Sequence, residues 1–134
     1  VSNIDIVNID TGSVVLQGDG FADGVLHNAA LTTQTYAAGT ILARTTADGK
    51  FGAFDPAGAG GLEIPKAVLT YELADVPTVT DAAVRVLTAG IVNSQRLIIH
   101  AGGTVTPGML DALRDYSIVP VYVKQLAMVD NPQP

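Results

Sequence analysis

Isoleucines at positions 4, 6 and 9 stand among Asp5, Asn8 and Asp10 at the amino end, and Val14-Val15-Leu16 follows as a short apolar run. Near-alternation of this kind predicts extended chain, because successive side chains of a strand point to opposite faces. Gln17-Gly18-Asp19-Gly20-Phe21-Ala22-Asp23-Gly24 then reads as a turn-rich stretch. Residues 1–30 therefore form a unit of their own, read either as an edge-prone arm or as a first pair of strands in the same domain.

From Leu31 the pattern sharpens. Thr40-Ile-Leu-Ala-Arg-Thr45 and Lys50-Phe-Gly-Ala-Phe54 flank Asp48-Gly49, which predicts a hairpin from Thr40 to Phe54, since glycine accepts the positive φ of a tight primed turn. Asp55 to Gly61 is a loop by composition, and Lys66 to Leu73 reads as one buried strand. Asp75 to Asp81 is a further connection. Ala82 to Val92 predicts a strand, or a bulged pair, broken at Ala89-Gly90. One helix is expected, from Pro107 to Tyr116: Thr106 supplies a capping hydroxyl, Pro107 takes the first helical position, and Leu110, Leu113 and Tyr116 recur at helical spacing. Ile118 to Val123 is a strand that Pro120 demotes to an edge. The expected fold is a β-rich α+β domain over residues 31–129, with short antiparallel strands in a barrel-like sheet, one short helix near the C-terminus and an extended N-terminal arm. Residues 130–134 read as a solvated tail.

Composition narrows the partners. The 134 residues are 48% apolar and 15% charged, enough for a core without disulfides, and cysteine is absent. That absence removes thiol nucleophiles and zinc-thiolate sites. Net charge is −6, no Lys or Arg precedes Arg44, and no basic run occurs, so nucleic acid is an unsuited partner. No apolar stretch approaches the roughly 20 residues of a membrane span, and the amino end lacks a signal-peptide layout. The chain reads as soluble, and its start without Met points to processing or trimming.

Candidate chemistry is sparse. Asp10-Thr11-Gly12, set between Val7-Asn8-Ile9 and Val14-Val15-Leu16, has the form of an aspartic-protease loop, and a chain with a single copy must dimerise to pair two carboxylates. Against that retroviral-type homodimer stand the nine residues ahead of Asp10, too few for the supporting hairpin, and the lack of a glycine-rich flap. His27 and His100 have no neighbouring Cys or second imidazole in sequence to build a metal site or a triad. Asp19-Gly20 and Asp23-Gly24 lack the alternating oxygens and terminal Glu of a calcium loop. Gly58-Ala-Gly-Gly61 precedes no helix and makes no phosphate cradle. Glu63 and Glu72 show no pairing for glycoside chemistry. No catalytic residue, metal, cofactor or small-molecule substrate is expected.

The stretch Tyr36-Ala-Ala-Gly-Thr-Ile-Leu-Ala-Arg-Thr-Thr-Ala-Asp-Gly-Lys-Phe51, then Ala67-Val-Leu-Thr-Tyr-Glu-Leu73, Arg85-Val-Leu-Thr-Ala-Gly-Ile-Val-Asn93 and Leu110-Asp-Ala-Leu-Arg-Asp-Tyr-Ser-Ile118, resembles the head decoration proteins of tailed bacteriophages. The likeness covers about Leu31 to Val123; the first thirty residues are richer in Gly and Asp than a simple arm. The resemblance implies a non-enzymatic homotrimer on the outer surface of the capsid, present in the host cytoplasm during assembly. It implies seating at three-fold and quasi-three-fold sites of the expanded head, where the protein clamps major capsid subunits against internal DNA pressure. An amino-terminal arm adding a strand to a capsid subunit is part of that picture, which places Ile4, Asp5, Ile6, Val7 and Ile9 at the contact. The chemistry of those residues is compatible, since alternate side chains of an added strand fill pockets while its backbone bonds supply affinity. Another trimeric virion module, such as a tail- or fibre-associated β domain, remains a second structural reading.

Overall fold

A computed structural model describes residues 14–122 of the chain. Eight strands, one helix and a single 3-10 turn follow in the order β1 (Val15–Asn28), β2 (Gln34–Tyr36), β3 (Ile41–Arg44), β4 (Phe51–Ala53), β5 (Ala67–Leu69), β6 (Leu73–Val76), β7 (Thr80–Asn93), the turn Ser94–Arg96, α1 (Pro107–Arg114) and β8 (Ile118–Val121). Strands β1, β4, β3, β5, β7 and β8 make one sheet, and β2 pairs with β6 in a small second one. The two long strands run antiparallel from Val15 opposite Val92 to Asn28 opposite Thr80. The other edge of β7 meets β5 at Leu87 and Val86, then β8 in parallel from Gly90 to Asn93. Because β4 also touches β1, in parallel at Leu26 opposite Phe51, the sheet curls back on itself. It is ring-like without being a barrel. The β-rich α+β class and the single late helix are as the sequence implies, whereas the β1–β4 and β7–β8 pairings are parallel.

Three local expectations change. The glycine-punctuated stretch Gln17–Gly24 is strand, not turn: a Cβ on Gly18 would lie 2.8 Å from the Phe21 ring, and one on Gly24 would lie 2.7 Å from the Phe51 ring. These glycines make room for aromatic rings against the backbone, and the ladder absorbs them as register shifts near Val15, Gly18 and Gly20. Lys66–Leu73 is also not one strand. Only Ala67–Leu69 is β5; the chain breaks at Thr70–Glu72 and re-enters as β6, and the half-exposed Tyr71 accepts the Arg85 backbone N–H through its hydroxyl at 3.1 Å. Finally, β7 passes through Ala89-Gly90 unbroken because Gly90 takes φ 147° there.

The hairpin between β3 and β4 is present, with Leu42 opposite Ala53 and Arg44 opposite Phe51. Its loop is wider than a two-residue turn: Thr45 N–H bonds the Lys50 carbonyl at 3.0 Å, Gly49 sits at φ 74°, and the Asp48 carboxylate accepts from the Thr45 hydroxyl and the Lys50 N–H. Helix α1 starts where expected, its Met109 N–H bonded to the Thr106 hydroxyl at 3.3 Å, and ends at Arg114. Its Leu113 is fully buried with Ile41, Leu87, Val92 and Ile118 in one core cluster. A second cluster joins Leu26, Tyr36, Leu42, Phe51 and Val86. Each such leucine removed from water contributes about 2 kcal/mol. Among the described residues no helix is long and apolar enough to cross a membrane.

Candidate partner-binding surfaces

The sequence candidates Ile4, Asp5, Ile6, Val7 and Ile9, together with Asp10-Thr11-Gly12 and the 130–134 tail, lie outside the described residues. What the fold defines is where the amino-terminal segment joins the body. Val14 is buried among the core side chains, and its carbonyl accepts the Asn93 N–H at 2.8 Å. The first described residue is thus tied to the end of β7, beside β8. That neighbouring strand is the sheet's edge: Ile118 and Pro120 point inward, while Val119 and Val121 alternate outward and Tyr122 follows, 64% exposed. Pro120 has no N–H to leave unpaired on an edge, as its sequence position implies.

At the opposite end of the β1–β7 ladder, Asn28 is fully buried and uses both ends of its amide. Its Nδ2 donates to the carbonyls of Thr32 and Val76 at 3.0 Å and of Pro77 at 3.2 Å, and its Oδ1 accepts the Ala30 N–H at 2.9 Å. One side chain therefore clamps the loop after β1 to the loop before β7. Each loop carries an apolar residue in solvent, Leu31 at 89% exposure and Val79 at 62%. A lone leucine in a Thr-rich run is the only trace of this tip in the sequence.

Beside the tip lies a cleft of about 360 Å³, walled mainly by Tyr36, Phe51, Phe54 and Leu62. His100 stacks on Tyr36 with ring centroids 4.4 Å apart, and its Nε2 meets Gln34 Oε1 at 2.8 Å. Burial disfavours the charged imidazole and pushes its pKa below the usual 6.5; burial likewise raises that of Tyr36. On the rim, Asp81 receives Lys50 Nζ at 2.8 Å and pairs with His27 Nδ1 at 2.7 Å. The Lys50 ammonium first, then His27, hold the Asp81 carboxyl below the usual carboxylate range. His27 with Asp81 has the form of two-thirds of a triad, but among the described residues neither imidazole hydrogen-bonds a hydroxyl. Nor do the described residues contain a cluster of His, Asp or Glu able to hold a metal ion. The cleft is built for packing an apolar group under a polar rim.

These surfaces are suited to protein contacts, and the comparisons point the same way. A family model described as bacteriophage lambda head decoration protein D matches residues 11–118, which span the whole ring-like sheet up to the first residue of β8. No curated protein matches the chain.

Proposed function

Since the chain belongs to the bacteriophage lambda head decoration protein D family, we propose that it binds the expanded icosahedral head as a homotrimer at three-fold and quasi-three-fold sites. There it holds neighbouring major capsid subunits on the outer surface against internal DNA pressure. The observation that carries this reading is the family match over residues 11–118. The family is structural, and the protein acts by binding alone, without substrate or cofactor. Residues 1–10 are the capsid-contacting arm, with Ile4, Asp5, Ile6, Val7 and Ile9 making the contact by strand addition. Two features support an arm that works from a firm base: Val14 is locked to Asn93, and β1 is laddered to β7 along its length. Three arms on one rigid body convert later contacts into intramolecular ones, so each can be weak while the whole holds. Residues 31–129 supply the body, and β1 carries the chain from arm to body as part of the body's own sheet.

The test is co-sedimentation with empty expanded heads. Full-length protein should pellet with the heads, whereas the chain lacking Val1 to Ile9 should remain a folded trimer and stay in the supernatant. Undiminished head binding by the truncated chain overturns the arm assignment, and failure of the full-length chain to bind overturns the decoration reading.

A further inference from the structure

We propose that Leu31 of one copy seats in the apolar cleft of a neighbouring copy, so that each copy is at once knob and socket around the trimer axis; this rests on the trimeric reading above. Leu31 is the most exposed large apolar side chain among the described residues, at 89%, and it is presented rigidly. Asn28 fixes the loop from within, and the Thr78 hydroxyl donates to the Ala30 carbonyl at 2.6 Å, binding the second loop to the first. Val79 completes the knob in a conformation that β-branched residues avoid, φ 51°, held in part by the Thr80 hydroxyl on the Thr78 carbonyl at 2.9 Å. A knob already frozen in shape loses little freedom on docking.

The socket is on the same molecule. Ala29 and Ala30 form part of the cleft wall, so the knob begins where the cleft's rim ends, yet Leu31 stays in solvent instead of entering its own cleft. Knob beside socket is the layout a head-to-tail contact needs, and repetition of one such contact about an axis closes a ring and stops growth. Charge selects a second copy as the occupant. Each copy carries −6, so copies can meet closely only through neutral surface, and residues 28–43 and 76–80 contain no Asp, Glu, Lys or Arg. Depletion of charge at an apolar centre, with Lys50, His27 and Asp81 kept to the rim, is the usual anatomy of such a contact.

The experiment is sedimentation of the full chain at micromolar concentration, for the unmodified protein, Leu31→Asp and Ala101→Arg. The first substitution sets a carboxylate on the knob. The second fills the mouth of the cleft from an exposed position. Unmodified protein should sediment as a trimer, and each variant should keep its circular dichroism melting curve while associating more weakly by roughly tenfold or more. Trimers unchanged in both folded variants overturn the proposal, as does a monomeric unmodified protein. Weakening by Leu31→Asp alone overturns the socket, and loss of head binding with the trimer intact shows that the tip faces the shell, which also overturns it. A sound trimer that ignores empty heads counts against the decoration reading and not against this contact.

Discussion

A methyl group placed on Gly90 would sit 2.3 Å from the Gln17 carbonyl oxygen, at a φ of 147° that alanine rarely adopts. Gly90→Ala should therefore cost on the order of 3 kcal/mol, read as a lower denaturant midpoint at unchanged slope. A wild-type midpoint in that variant contradicts the fit. The same residue shows why sequence reading erred locally: glycine marks both a chain break and a close backbone approach, and only the partner strand, which is remote in sequence, distinguishes them. Gly18 and Gly24 misled in the same way, their purpose residing in the rings of Phe21 and Phe51. His100 carries a second consequence at this scale. Its folded pKa lies below the unfolded 6.5, so the folded state resists protonation. Its contribution to stability is complete above that value and lost as pH falls through the folded pKa. Melting temperature should drop between pH 7 and pH 5, and more steeply in the unmodified chain than in His100→Gln; equal slopes refute the assignment.

Among the elements, those with local causes were legible. The β3–β4 hairpin announced itself through Asp48-Gly49, although the loop that forms is wider than the tightest turn because Asp48 bonds back to Thr45 and Lys50. Thr106 and Pro107 placed the start of α1 correctly. Its end was overestimated because Ser117 adopts φ 73° and Ser117 N–H turns back to the Arg114 carbonyl at 3.2 Å, closing the helix before Tyr116 can join it. Two substitutions should move stability in opposite directions. Thr106→Ala removes the cap and should cost about 1 kcal/mol, whereas Ser117→Gly relieves the left-handed residue and should gain about 0.5 kcal/mol. Matched chemical denaturation curves measure both, and a destabilised Ser117→Gly contradicts the second. The long strands were not legible, because their extent depends on a pairing between residues 15–28 and 80–93 that no local window contains. The surfaces fared similarly: the arm candidates fall outside the described residues, and the tip exists only because Asn28 draws two distant loops together.

At the scale of the whole molecule, the family match and the ring-like sheet agree that the body is one continuous scaffold, with the start of β1 tied to Asn93 and the tip at the other end of the β1–β7 ladder. Every bond of that ladder joins residues far apart in sequence, so the amino-terminal strand is completed only after β7 exists; a largely non-local sheet of this kind folds slowly. The same ladder has a mechanical meaning. A pull entering at Val15 along the axis of β1 loads the inter-strand bonds from Val15 to Asn28 side by side, so they must rupture together, while a pull across the strand would peel them one after another. Stretched from its amino terminus along β1 in a single-molecule instrument, the body should yield at a markedly higher force than when Val15 is drawn away from Val92 across the sheet. Equal forces would show that the ladder carries no shear. A tether fastened to this strand is in effect a strap riveted along its length, strongest in the one direction along which a swelling surface would draw it taut.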